Sequence, residues 1–125
     1  MGDRIAFGFK ADKAAPTIWL YAHWSGSERY TLVAEAVEKA RPRWSDASYA
    51  TRIAVCSIIG KDQWDAETGF GLSVGESSGL DLNYDEVLVV NWADKVITHQ
   101  DARSGKVHVE YGFEAYLNAT PYEMA

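Results

Sequence analysis

Two stretches near the start of the chain alternate apolar and polar positions with period two: Arg4-Ile5-Ala6-Phe7-Gly8-Phe9-Lys10, and Thr17-Ile18-Trp19-Leu20-Tyr21-Ala22-His23-Trp24 after the punctuation Asp12 to Pro16. This pattern predicts an opening β-hairpin. Ile5, Phe7 and Phe9 then share one face with Ile18, Leu20 and Ala22, while Arg4, Ala6 and Gly8 share the other with Trp19, Tyr21 and His23. The first face is uniformly apolar and the second is mixed.

The period then changes to that of a helix. Ser25-Gly26-Ser27-Glu28 fits a capping box, and Leu32, Val33, Ala36, Val37 and Ala40 form an apolar stripe that Pro42 ends. Ser45-Asp46 caps a second helix over 47–59, with Gly60 as its stop. The second half returns to period two in Phe70 to Val74, Glu86 to Trp92, Lys95 to His99 and Lys106 to Glu110, with a tight turn at Ala93-Asp94. A short terminal helix over Phe113 to Leu117 closes on Asn118 and Pro121. The order ββααββββα predicts an α+β fold. Its expected form is an antiparallel sheet with two consecutive helices packed on one face, in one domain over residues 1–125.

Composition narrows the function classes. With 125 residues, 47% of them hydrophobic, the chain is long enough to bury about 68% of its unfolded surface without staples, and disorder is excluded. A net charge of −6 argues against an electrostatic grip on duplex nucleic acid or an anionic membrane. The single Cys56, in the apolar run Ile53 to Ile59, reads as a small core residue. No stretch approaches about 18 apolar residues and no signal-peptide plan opens the chain, so a cytoplasmic protein is expected, with Asn118-Ala119-Thr120 a coincidental sequon.

Candidate chemistry gathers at two places. At the strand-to-helix junction, His23, Trp24, Ser25 and Gly26 combine a ring donor, a stacking face and a close-approach residue beside the free N–H groups of a helix start, which suit an anion. The competing reading has Trp24 stapling the loop to the core and His23 bonding locally. The second place is the basic and aromatic cluster Arg43, Trp44, Tyr49 and Arg52, with planar forks for phosphate and π-faces for a base. Its competing reading is a surface ion-pair network with Trp44 closing the inter-helix turn. Arg4, beside His23 on the same face, is a weaker member.

Other plans fail on spacing. Asp81-Leu82-Asn83-Tyr84-Asp85 begins like a calcium loop but has Glu86 at its sixth position and Trp92 at its twelfth. Gly69 to Gly75 is misspaced for a dinucleotide fingerprint. His23-Trp24-Ser25 lacks the second copy that two-histidine phosphoesterases require. The histidines show no metal-ligand spacing, so neither metal nor cofactor is expected; Asp65 with Glu67 reads first as a solvated loop pair, and a hydrolase using Asp65 or Glu67 with His23 is the lowest-ranked alternative.

The start Met1-Gly2-Asp3-Arg4, then Leu20-Tyr21-Ala22-His23-Trp24-Ser25-Gly26, Tyr49-Ala50-Thr51-Arg52-Ile53, Ile59-Gly60 and Gly69-Phe70-Gly71-Leu72-Ser73 span about the first three quarters of the chain. In these elements the sequence resembles a family of small proteins of tailed bacteriophages, especially those of actinobacteria, and of prophage-bearing bacteria. The resemblance implies context rather than an activity: a phage protein in the cytoplasm of its bacterial host, where small single-domain proteins interfere with defence.

Two functions follow as expectations. The first is a non-enzymatic binding protein that sequesters a nucleotide-derived immune signal, a cyclic nucleotide or an ADP-ribose derivative. Two stacked aromatics and two charge-assisted phosphate contacts give roughly 5–12 kcal/mol gross against an association cost of roughly 4–15, so a preorganised pocket is required. A homodimer would enlarge such a pocket, with the strand face bearing Trp19 and Tyr21 as its candidate interface. The alternative is a protein-interaction factor that docks the same aromatics on a host protein with no small-molecule ligand, since Trp, Tyr and Arg are also hot-spot residues.

Overall fold

The computed structural model describes residues 3–62, 64–67, 69–75, 82 and 84–119. Strands β1 (Ile5–Lys10) and β2 (Thr17–Ala22) precede helices α1 (Arg29–Lys39) and α2 (Ala47–Ile59). Strands β3 (Phe70–Gly75), β4 (Glu86–Asn91), β5 (Val96–Asp101) and β6 (Val107–Gly112) follow, and helix α3 (Phe113–Asn118) closes the described chain. Short 3-10 turns at Gly26–Glu28, Arg41–Arg43 and Gly60–Asp62 are interposed, so the chain is more segmented than a bare ββααββββα. Asp81, Asn83 and Pro121 lie outside the described residues.

The architecture is α+β with one six-stranded sheet, but the sheet is mixed, which corrects the antiparallel expectation. Its spatial order is β3-β2-β1-β4-β5-β6, and β4 lies parallel to β1, with Phe7 opposite Leu88 and Phe9 opposite Val90. The other four pairings are antiparallel. The cause is topological: β3 occupies one edge and β4 lies on the far side of β2 and β1, so β4 does not form a hairpin with the strand before it and is free to run parallel to β1. The opening hairpin has the register its alternation implies, with Ile5, Phe7 and Phe9 opposite Ala22, Leu20 and Ile18.

One face of the sheet is covered. Ile5, Phe7, Phe9, Leu20, Leu88, Val90 and Ile97 pack with Val33, Ala36 and Val37 of α1, Ala50, Ala54 and Ile58 of α2, and Phe113 and Tyr116 of α3 in one core. Small alanines on both helices let them approach the sheet closely, and each fully buried aliphatic or phenyl side chain there contributes about 1.5–3 kcal/mol. α1 stops at Lys39, before Pro42. Asp46 caps α2 by accepting from the Tyr49 amide, and Gly60 ends it at a φ of 68°.

The opposite face carries a small cluster of Ala6, Trp19, Val87 and Val89. Trp19 is only 4% exposed. Trp19, expected to stand exposed on this face beside Tyr21, is instead packed against the sheet: Gly8, directly opposite in register, makes room for the ring, and the indole Nε1 donates to the Gly75 carbonyl at 3.1 Å. Tyr21 is half-buried and bonds His23. Cys56 is half-buried rather than a core residue.

Candidate functional site

At the junction after β2, the expected anion cradle is filled by the protein's own carboxylate. The Gly26 amide donates to the Asp3 carbonyl at 2.8 Å, and the Asp3 side chain accepts from the Ser27 hydroxyl at 2.9 Å and from the Tyr84 hydroxyl. The Tyr84 hydrogen bond, with the Ser27 contacts, holds the Asp3 carboxyl below its usual range. Gly26 is buried, and a Cβ there would collide with the Tyr84 ring. Ser25 makes no side-chain cap bond; the segment winds as a 3-10 turn and α1 begins at Arg29. The capping box therefore does not form, because Asp3 supplies the acceptors that Ser25 was expected to supply.

His23 and Trp24 form the outer part of this corner. The Tyr21 hydroxyl and His23 Nδ1 lie 2.7 Å apart, the His23 and Trp24 rings meet edge to face at 4.8 Å, and the His23 amide donates to the Gly69 carbonyl at 3.1 Å. Gly69, at a φ of 79°, lies against the Trp24 ring. Trp24 is 62% exposed, so it stands on the surface instead of stapling the loop. Arg4 is half-buried just ahead of β1.

Beneath the corner lies a polar cluster that the sequence pattern did not reveal. Arg29 Nε and the Tyr30 hydroxyl both donate to Glu86 Oε1, and the Arg29 guanidinium lies over the Tyr30 and Tyr84 rings at 4.5 and 4.1 Å. Burial alone would raise the Glu86 carboxyl, but the Tyr30 and Arg29 hydrogen bonds outweigh it and hold it low. Tyr30 stacks on buried His99, and the Tyr111 and Tyr116 rings close around the same imidazole. Burial depresses the His99 pKa and raises that of Tyr116. Among the described residues, neither His99 Nε2 nor the Tyr116 hydroxyl has a hydrogen-bond partner. His99 alternates in phase with Ile97 on β5, so its inward direction was legible; its aromatic surroundings come from α1, β6 and α3 and were not.

The second predicted group sits where the two helices meet. Trp44 is structural: its Nε1 donates to the Val37 carbonyl at 2.9 Å, its ring meets Phe113 edge to face, and Arg41 covers its other side. Arg43 lies over the Tyr49 ring at 4.3 Å and approaches Asp46 at 3.8 Å, so its guanidinium is engaged on the surface. Arg52 is exposed and faces a separate apolar groove beside Pro16, Ile18, Val55 and Leu72. The two groups lie at opposite ends of α1, whose eleven residues span about 16 Å. The structure brings His23, Trp24, Ser25 and Gly26 together, brings Arg43, Trp44 and Tyr49 together, and does not bring the two sets into one pocket.

Two adjoining concavities with polar and charged borders lie on the face without helices. A cavity of about 630 Å³ has Trp19, Thr17 and Val89 in its lining, with Lys10 and Lys13 on one side and Gln100 and Ser104 on the other. A second, of about 310 Å³, shares Trp19, Gln100, Ser104 and Gly105 with it and adds Arg103 and Asp101. Both walls are held by local hydrogen bonds. Asp12 Oδ1 accepts from the Ala14 and Ala15 amides at 2.8 and 2.9 Å, and Asp101 Oδ1 accepts from the Arg103 and Ser104 amides at 2.9 and 2.8 Å. Three cations, Lys10, Lys13 and Arg103, thus border a preshaped hollow in an acidic chain. The sequence signal was Gly8 in mid-strand across from Trp19, a pair that marks close approach.

The remaining expectations concern chemistry. Asp65 Oδ1 accepts from the Glu67 amide at 2.8 Å, an ordinary local turn in an exposed loop. Among the described residues no group of three or more potential ligands could hold a metal ion, and no helix is long and apolar enough to cross a membrane. Compared with protein-family models, with curated proteins and with solved structures, the chain matches none.

Proposed function

We propose that the protein is a binding module that takes up an anionic, nucleotide-derived small molecule on the open face of its sheet. The observation that carries this reading is the hollow around Trp19 with Lys10, Lys13 and Arg103 at its border. Its volume falls within the roughly 300–1,000 Å³ of ordinary ligand sites, and its polar and cationic walls suit the phosphates of such a ligand. Walls fixed by Asp12 and Asp101 lower the ordering cost of binding. Combined with the phage resemblance, the proposed role is sequestration of a nucleotide immune signal in the host cytoplasm.

The test is thermal stabilisation of the purified protein across cyclic dinucleotides, cyclic ADP-ribose isomers and linear nucleotides at about 100 μM. A ligand bound a hundredfold more tightly than its concentration adds about 2.7 kcal/mol. A selective shift that Lys10→Glu/Lys13→Glu abolishes and Trp24→Ala retains supports the open-face site. The opposite pattern moves binding to the corner of His23 and Trp24. No shift with any member removes the small-molecule reading.

A second reading rests on Trp24 and Trp64, which are 62% and 90% exposed. Exposed indoles are hot-spot residues of protein interfaces. They make docking on a host protein the reading to pursue if the ligand panel is silent.

A further inference from the structure

We propose that the protein associates as a two-fold dimer through the edge of β3 that no strand among the described residues pairs with, joining two six-stranded sheets into one. The two outer strands of the sheet are unlike each other. β6 also exposes Val107 and Val109, but it carries the exposed, polar His108 and Glu110, follows the exposed Lys106, and has a register shift opposite His99 and Gln100, devices that discourage edge pairing. β3 reads Phe-Gly-Leu-Ser-Val-Gly, with no charge, no proline and no register shift against β2. Its Leu72 and Val74 are 64% and 67% exposed, an arrangement that a solitary edge strand avoids.

The backbone specifies the occupant. The His23 amide donates to the Gly69 carbonyl, and inward- and outward-facing groups alternate along an antiparallel ladder, so the N–H and C=O groups of Phe70, Leu72 and Val74 face away from β2. These three residues are symmetric about Leu72. A second copy laid antiparallel with Leu72 opposite Leu72 satisfies all of them at once, in six reciprocal hydrogen bonds, so this edge is its own complement.

With the two-fold axis normal to the sheet, both helical layers lie on the same side, where Phe70, Leu72 and Val74 of the two copies meet. The apolar groove beside β3, about 560 Å³ and lined by Pro16, Ile18, Val55 and Leu72 among others, then faces its counterpart across the joined strands. On the opposite face only Gly71, Ser73 and Gly75 approach, and a Cβ at Gly71 would enter open space. The net charge of −6 on each copy opposes association weakly, because charges beyond about 8 Å are screened at physiological salt. A six-residue edge about 20 Å long gives an interface near the small end of the stable range, so the dimer is expected to be concentration-dependent.

Sedimentation from about 1 to 300 μM tests this. The expected result is a shift from 13.9 kDa toward twice that mass, abolished by Leu72→Lys, whose exposed position leaves the far-UV spectrum unchanged. In a Cys56→Ser background, the double variant Gly71→Cys/Ser73→Cys should cross-link into a covalent dimer on oxidation, because this register places Gly71 opposite the partner's Ser73 in a close, non-hydrogen-bonded pair. A monomer at 300 μM overturns the proposal. A dimer that survives Leu72→Lys, or one that fails to cross-link, places the contact elsewhere and overturns it equally.

Discussion

Arg29 at the start of α1 and Glu86 at the start of β4 are joined by a 2.9 Å hydrogen bond, both largely shielded from solvent, and Tyr30 donates to the same carboxylate oxygen. This bond ties the helical layer to the strand beside β1. Removing the acceptor strands a guanidinium and a phenol that burial has partly desolvated. Glu86→Ala should destabilise the fold by about 2 kcal/mol, seen as a lower urea midpoint with an unchanged slope. A loss no larger than that of an exposed glutamate such as Glu35→Ala would show that the contact contributes nothing.

Acid should weaken the fold in two stages. Burial depresses the His99 pKa below its ordinary 6.5, so the unfolded chain binds that proton more readily and stability falls as pH drops below about 6.5. Asp3 and Glu86 are also held low, against ordinary values of 3.8 and 4.5; their contribution is complete above the unfolded values and is lost as pH falls through the folded ones. His99→Phe, which keeps a flat ring and removes the unpartnered Nε2, should abolish the first stage and leave the second. Denaturant midpoints between pH 3 and 8 report both.

The two helix caps should respond oppositely to truncation. Asp46→Ala removes a side chain that accepts from the Tyr49 amide and should cost about 0.5–1 kcal/mol. Ser25→Ala should cost almost nothing, because Ser25 caps nothing. Equal costs would mean that the α1 start is organised by its own sequence rather than by Asp3.

Gly8→Ala tests the floor of the open-face hollow. A Cβ there would stand 2.8 Å from both Thr17 Cγ2 and Trp19 Cζ3. The ring must shift, at a cost of about 1–3 kcal/mol, with altered tryptophan fluorescence and weakened ligand stabilisation. Unchanged fluorescence and stability would show that the face yields freely.

The tryptophans should separate by burial. Trp44→Ala removes a packed ring and a hydrogen bond to Val37 and should cost about 2–3 kcal/mol. Trp24→Ala, at an exposed position, should stay within about 1 kcal/mol of the parent in thermal or chemical melts.

Local chemistry was readable from the sequence wherever it determined structure. Alternation in Ile5 to Phe9 and Ile18 to Ala22 sets the hairpin register, Asp46 and Gly60 bound α2, and Pro42 follows the end of α1. Long-range competition was not readable. Ser25 looked like a cap until Asp3, 22 residues earlier, took over the acceptor role, and antiparallel pairing looked sufficient until β4 took its place beside β1. Trp19 and Gly8 were both visible, yet only their opposition in the register turns a mixed face into a hollow with walls. The nine residues proposed from sequence separate because eleven residues of helix stand between a strand end and an inter-helix turn, a distance that spacing along the chain does not express.

The parallel pairing of Phe7 with Leu88 also bears on how the protein is made. The central strand leaves the ribosome early and has no partner on one side until some 80 further residues have been translated. At about 5–20 residues per second that interval lasts roughly 4–16 seconds. In its later part, once α2 has been made, Ile5, Phe7 and Phe9 have β2 and the first two helices beside them but an open flank where Leu88 and Val90 belong. Nascent chains halted before residue 86 should therefore bind a holdase chaperone, and release from it should coincide with the emergence of β4.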